Sequence, residues 1–339
     1  MNIRTRTNNK AGEKMFQVGN FVLSKNRPFI IAEIGSNWRN LEDCLESIKI
    51  AKDVGADAVK FQLFNFESLY GIPKKMAPSW YNKDSELQVD WLSNLRQECD
   101  NSRIQLMVSA FGTDLADKVD QYVHCHKIAS GEITNVDLLE TVAGFGKPVF
   151  LSTGGASSAK IELALGILSG NSVVLNYCVG AYPAHGTDLF KLNKLAEYGH
   201  PVGFSDHSKD YIYLPRAAVE NHGAVSVEKH LTCIKTNTAD SPHSLNPAQF
   251  KTMCDVLHGV RKTTLNPTYE ESDMVLRHQR RLVITEDVKK GGTVTFGAYR
   301  SLNPSADGIN PFQSETFLDA VAARDLKAGD TMGIMDIEQ

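Results

Sequence analysis

Eight apolar runs of strand length recur between residues 29 and 232, and segments of helical periodicity separate them. The runs are FIIAEIG (29–35), AVKFQLF (58–64), IQLMVSAF (104–111), YVHCHKIAS (122–130), PVFLSTG (148–154), SVVLNYCVG (172–180), PVGFSDHS (201–208) and AVSVEKHLT (224–232). Helix candidates between them include LEDCLESIKIAKDVG (41–55) and SSAKIELALGILSG (157–170), and a last one, 247–263, follows the eighth run. Alternation of this kind over about 250 residues points to a parallel (β/α)8 TIM barrel, an α/β fold. A doubly wound open sheet is the main alternative, but no GxGxxG follows the first run, which weakens a dinucleotide site. Upstream, FQVGNFVLSKNRPF (16–29) reads as a short hairpin.

The rhythm stops near residue 266, where NPTYEESDM is polar and contains proline. We therefore expect a hairpin and barrel over 1–265, a linker over 266–279 and a small, mostly β domain over 280–339. That last segment repeats itself. EDVKKGGTVT (286–295) matches RDLKAGDTMG (324–333), and its Lys-x-Gly fits a tight turn in which glycine supplies positive φ. A domain this small is marginal alone.

Composition narrows the partners. With 339 residues, 42% hydrophobic and 22% charged, there is ample material for a large core. A net charge of −4 offers no basic surplus for nucleic acid or anionic lipid. The six cysteines are scattered without a CxxC, as expected of reduced thiols acting as small hydrophobes. The polar N-terminal segment lacks the apolar stretch of a secretory signal, and no run approaches the roughly 20 apolar residues of a membrane span. The expectation is a cytoplasmic protein.

In a (β/α)8 barrel the active site lies at the carboxyl ends of the strands. Those ends carry Glu33, Lys60, Gln62, Ser109, Lys127, Ser130, Ser152, Thr153, Tyr177, Cys178, Ser205, Asp206, His207, Glu228, Lys229 and His230. A barrel interior otherwise favours Val, Ile and Leu. Two lysines among serines and threonines make a receptor for a phosphate or carboxylate dianion. His207 and His230 end neighbouring strands, so their imidazoles can converge on a divalent transition metal, with water and substrate oxygens completing the shell. The competing reading is a hydrogen-bonded pair of core histidines. For His124 and His126, expected to point the same way along one strand with no carboxylate partner, the core reading is preferred. His185 and His243 lie in loops within reach of the strand ends.

IAEIGSN, GADAVKFQ, HKIASGE, LSTGGAS, CVGAYPA, GFSDHS and VEKHLT resemble, in order and spacing, the sialic acid (N-acetylneuraminate) synthase family with its legionaminate and pseudaminate relatives. The resemblance runs from about residue 16 to the end, and the C-terminal repeat is similar to that family's antifreeze-like (SAF) domain. It implies condensation of phosphoenolpyruvate with an open-chain N-acetylated amino-sugar aldehyde, N-acetylmannosamine-like, to a nonulosonic acid and phosphate. It further implies that Lys60, Lys127, Ser130, Ser152 and Ser205 hold phosphoenolpyruvate, that Glu33 is the catalytic carboxylate, and that Asp240 meets acceptor hydroxyls. Glu228 joins the catalytic set, and Gln62, Thr153, Tyr182 and Arg300 the substrate-binding set. His207 and His230 are expected to hold Mn2+, or else Mg2+ or Co2+. A domain-swapped homodimer is expected, the SAF domain of one chain capping the barrel of the other.

The departures fall on the acceptor side. Trp38-Arg39-Asn40 stands where the family commonly has His-Asn-Gly, Gly180 where it has asparagine, and Ser109-Ala110-Phe111-Gly112 where it has Ser-Thr-Pro-Phe. The SAF arginine falls at Asn303, with Arg300 three residues earlier. Two further readings are a phosphoenolpyruvate-dependent aldol-type synthase with a different aldehyde, and a degenerate sugar-binding member. Retention of Glu33, Lys60, Lys127, His207 and His230 together argues against decay.

Overall fold

The computed structural model describes residues 16–24, 27–78, 85–234, 238–259, 280–300, 308–309 and 311–338, without the side chains of Ser68, Arg300 and Phe312. The expected linker over 266–279, the boundary at 265, Asn303 and the tail of the helix expected to reach 263 lie outside these residues. Two compact units are present, Met1–Lys262 and Thr263–Gln339.

The first unit opens on a hairpin, β1 (Gln17–Val18) and β2 (Phe21–Val22). Eight parallel strands follow: β3 (Phe29–Gly35), β4 (Ala58–Leu63), β5 (Gln105–Ala110), β6 (His126–Ile128), β7 (Val149–Ser152), β8 (Val173–Cys178), β9 (Val202–Asp206) and β10 (Ser226–His230). They close in sequence order, with β10 pairing β3 from Ser226↔Phe29 to His230↔Glu33. Closure excludes the doubly wound sheet. The crossovers are α1 (Leu41–Asp53), the short α2 (Phe66–Tyr70) with α3 (Leu92–Ser102), α4 (Thr113–Asp120), α5 (Val136–Gly144), α6 (Ser158–Ile167), α7 (Phe190–Ala196) and α8 (Tyr213–Glu220), and α9 (Pro247–His258) follows β10. Local chemistry marks their ends. Asn40 caps α1 by accepting from Asp43 N, and Asn246 with Gln249 closes a capping box on α9. Among the described residues no helix is long and apolar enough to cross a membrane.

Period-2 alternation sorts each strand between two cores. Ile30, Ala32, Ile34, Val59, Phe61, Val149, Leu151 and Phe204 face the helices. Phe29, Ile31, Ala58, Met107, Phe150 and Val174 face inward at the amino end, where Phe16, Val18 and Leu23 of the hairpin pack on them. The Phe16 and Phe150 rings meet edge-on at 5.2 Å. Each fully buried phenylalanine contributes about 1.5–3 kcal/mol. One step further along each strand the interior turns polar: Phe29 and Ile31 give way to Glu33, Ala58 to Lys60, Met107 to Ser109, Phe150 to Ser152. The hydrophobic plug lies at one end and a charged chamber at the other.

Two expectations are corrected here. The fourth run forms a strand only over His126–Ile128, so His124 precedes it, bonding Gln105 at 2.8 Å. His126 does have a carboxylate partner: it meets Asp120 at 2.9 Å and stacks on Phe145 at 5.0 Å.

The second unit contains an antiparallel pair, β11 (Arg280–Ile284) and β12 (Phe296–Arg300), around a core of Leu282, Ile284, Val294, Ile309, Ala322, Leu326 and Met332. The sequence repeat is a reciprocal contact. Asp287 of the first copy pairs with Lys327 of the second at 2.7 Å, and Asp325 with Lys289 at 2.6 Å. Val288 and Leu326 exchange both backbone hydrogen bonds between them. The turn glycines adopt φ of 84° at Gly291 and 94° at Gly329, where a side chain would be strained.

Candidate active site

The chamber is built around Glu228. Its carboxylate accepts from Ser205 Oγ at 3.0 Å and lies 3.3 Å from Lys127 Nζ and 3.5 Å from Lys60 Nζ. Lys60 also pairs with Glu33 at 2.5 Å and donates to Ser109 Oγ at 3.3 Å. Gln62 Nε2 donates to Glu33 Oε1 at 2.8 Å. These charges are 5% exposed or less. Such desolvation is costly unless each charge keeps a partner, and the network alternates in sign.

The two carboxylates are not equivalent. Burial pushes Glu33 up, helped by the nearby Glu228 charge and only partly opposed by Lys60. Burial also acts on Glu228, but Lys127, Lys60 and the Ser205 hydroxyl overcome it and hold that carboxyl at about 2. Burial lowers Lys127, whereas Glu228 and Glu33 outweigh burial at Lys60 and raise it. Two acids pushed apart in this way divide the labour: Glu33 can exchange a proton, while Glu228 stays ionised as the counter-charge of the lysines.

Ser130 and Ser152 complete the wall. Ser130 Oγ lies 3.0 Å from Cys178 Sγ, and Ser152 Oγ is buried without a hydrogen-bond partner, a donor available to an incoming anion. Lys60, Lys127, Ser130, Ser152, Ser205, Gln62, Glu33, Glu228, Tyr182, His207 and His230 line one pocket, together with Ser109, Phe111, Ala129 and Cys178. Four strand-end residues point elsewhere. Thr153 Oγ1 donates to the Asn176 carbonyl at 3.1 Å, Tyr177 stacks on Phe204 in the helix-facing layer, and Asp206 and Lys229 pair on the helix-facing side of β9 and β10. A strand's register sets which face a residue takes, and the ends of apolar runs do not reveal it.

Above this floor stand histidines. His207 Nδ1 donates to the Val179 carbonyl at 2.7 Å, which leaves Nε2 as an acceptor 3.5 Å from Ser205 Oγ. The His207 and His230 rings lie 5.8 Å apart. Burial lowers both, His230 to about 3, so both imidazoles are neutral and can ligate. His230 Nδ1 is buried with no hydrogen-bond partner. A divalent transition metal fits this donor set. Tyr182 lies over it, its ring 4.2 Å from His207 and 4.9 Å from His243.

His243, in the turn Ser241–His243, comes within 4.6 Å of the His230 ring. Asp240 accepts from Ser36 N at 2.7 Å and Ser36 Oγ at 2.9 Å. The loop does bring His243 to the strand ends, as expected, and sets Asp240 beside it. The loop is fastened when Asn37 Nδ2 donates to Leu231 O at 3.1 Å and Ser244 Oγ at 2.8 Å. Trp38 turns away from the pocket. It is 5% exposed, donates Nε1 to Gly35 O at 2.9 Å and meets Trp91 edge-on. His185 is exposed, and the Arg300 side chain lies outside the described residues.

A closed parallel barrel whose mouth combines buried lysines, split carboxylates and neutral histidines defines a barrel enzyme for anionic substrates. The model of the NeuB family matches residues 47–267, and the chain belongs to that family. It is 30% identical over 328 residues to the N,N'-diacetyllegionaminic acid synthase of Campylobacter jejuni, spanning 89% of this chain and 97% of that protein. It is 28% identical over 276 residues to the human N-acetylneuraminate-9-phosphate synthase, spanning 74% of this chain and 75% of that protein. Among solved structures, the N-acetylneuraminic acid synthetase of Leptospira borgpetersenii in complex with citrate superposes with a TM-score of 0.69 at 31% identity, over 78% of this chain and 97% of that chain.

Proposed function

We propose that this protein condenses phosphoenolpyruvate with an open-chain N-acetylated amino-sugar aldehyde to give a nonulosonic acid and phosphate. The observation that carries this reading is the pairing of Lys60 and Lys127 with two carboxylates of unequal acidity beneath a histidine cluster. The names of the relatives support the substrate class.

Lys127, Lys60, Ser130, Ser152 and Ser205 bind the phosphate and carboxylate of the donor, and Glu228 keeps both ammonium groups charged before it arrives. His207 and His230 would hold a divalent metal, Mn2+, Mg2+ or Co2+, which acts as a Lewis acid on the aldehyde oxygen when bound. Carbon 3 of phosphoenolpyruvate then forms the new bond to the aldehyde carbon. Glu33, raised by burial, gives its proton to the aldehyde oxygen. Water adds at carbon 2 and gives one proton back to Glu33; the carbon–oxygen bond to phosphate then breaks from the tetrahedral intermediate, the new hydroxyl passing its proton to the departing phosphate as the ketone forms, while the lysines stabilise the leaving group.

Residues 1–265 form the catalytic domain on this reading, 266–279 the linker and 280–339 an SAF-type cap donated across a homodimer. Tyr182 and Arg300 meet the acceptor. The test is phosphate release from phosphoenolpyruvate, with Mn2+, against a panel of N-acetylhexosamines. Release with one of them supports the reading, and folded protein that releases phosphate with none rejects it.

A further inference from the structure

Resting on that reading and deepening its metal site, we infer that the cation on His230 is also ligated by Asp240 and His243, a two-imidazole, one-carboxylate set that loops supply alongside the barrel strand. Ligand atoms from His230, Asp240 and His243 all lie within 4.8 Å of one another. Both imidazoles are more than nine-tenths buried, at 4% and 7% exposure. His230 Nδ1 has no partner, and His243 Nε2 has only a long approach of 3.4 Å to Asp240 Oδ1. Buried polar atoms ordinarily find partners, so incompletely satisfied nitrogens on two buried rings beside one carboxylate ask for a further atom in the cluster.

The backbone is shaped around the cluster. Gly35 adopts φ of 56°, and a Cβ there would stand 2.2 Å from Asp240 Oδ2 and 3.4 Å from His230 Cε1. Only glycine lets β3 come this close to the carboxylate. The Ser36 amide and hydroxyl bond Oδ2 and orient the group, as outer partners of metal-bound carboxylates do. Asp240 and His243 added to the two strand-end histidines form a tighter and more imidazole-rich site than the two histidines alone. Such a site prefers Co2+ or Zn2+ to Mg2+, whose ligands are oxygen.

Binding of Co2+ and Mn2+ to chelator-stripped full-length protein, followed by calorimetry without substrates and by the visible spectrum of the Co2+ form, tests the assignment. Losing a direct ligand should weaken binding beyond the roughly 10–100-fold seen for outer partners. His243→Ala and Asp240→Asn are each expected to do so and to change the Co2+ spectrum, while His185→Ala changes neither. Wild-type affinity and spectrum in both His243→Ala and Asp240→Asn would overturn the inference. If His207→Ala alone then loses the metal, a site of His207 and His230 only replaces it. Should a variant misfold by circular dichroism, His243→Gln and Asp240→Ala answer the same question. These readings contain no substrate, so they stand whether or not the phosphate-release assay supports the synthase reaction.

Discussion

Lys229 and Asp206 form an ion pair at 2.7 Å on the helix-facing side of the barrel, with neither side chain exposed to solvent. They are register partners on β10 and β9, each directly adjacent in sequence to one histidine of the pocket. Lys229 Nζ also donates to the carbonyls of Ser208 at 2.6 Å and Asp210 at 2.7 Å. The ammonium thus holds the loop after β9 from behind while His207 faces forward.

Breaking this pair from one side leaves an uncompensated buried charge. Lys229→Met should destabilise the chain by about 3–5 kcal/mol, and Lys229→Met with Asp206→Leu should recover most of the loss. Urea denaturation of the two variants checks it. A single variant as stable as wild type would show that the pair carries no such weight.

Lys127 is expected to act on the donor. Lys127→Ala should weaken phosphoenolpyruvate binding by about 2–5 kcal/mol, since a buried phosphate loses a charged partner. Calorimetry without acceptor measures this, and unchanged affinity contradicts the phosphate pocket.

Glu33 is expected to act on the proton. Glu33→Gln should lower kcat by roughly 10²–10⁴-fold, the range for a lost general acid–base group, while the protein still binds phosphoenolpyruvate. A kcat within a few-fold of wild type would move that role to another residue.

Acid should destabilise the barrel through His126. Burial lowers its pKa in the fold below the ordinary 6.5, against the pull of Asp120. The unfolded chain therefore takes up the proton first as pH falls. The contribution of neutral His126 is complete above pH 6.5 and is lost as pH drops toward the folded value. Asp120, lowered by Lys147 and His126 against burial, adds the same sign in a more acidic window. The Tm difference between pH 7.5 and 5.5 should shrink in His126→Gln, with residual slope from His124, His207, His230 and His258, which burial also lowers. An unchanged difference would remove His126 from the account.

Subunit exchange tests the proposed cap. Mixing inactive Glu33→Ala chains with inactive Arg300→Ala chains should restore activity, because some hybrid dimers carry one intact site. No recovery after verified exchange would place the cap in cis or take the role from Arg300.

The barrel was legible because eight apolar runs alternate with helical periods, and a parallel sheet buried on both faces needs such runs. Lys60, Lys127 and Glu228 stood out because charge is costly where they sit. Thr153, Tyr177, Asp206 and Lys229 misled because chain position near a strand end does not say which face is taken. His243 joined the histidines through hydrogen bonds between loops more than 200 residues apart in sequence, as between Asp240 and Ser36, and no local pattern encodes those.

The N-terminal hairpin gives this chamber a direction of traffic. Phe16, Val18 and Leu23 stop its lower end. His207, just past the end of β9, and His230, the last residue of β10, stand two residues nearer the mouth than Ser205 and Glu228. A well with one door serves its occupants in order: on the proposed reaction the donor descends first, the aldehyde settles above it, and phosphate, formed at the bottom, can leave only after the sugar acid has cleared the way.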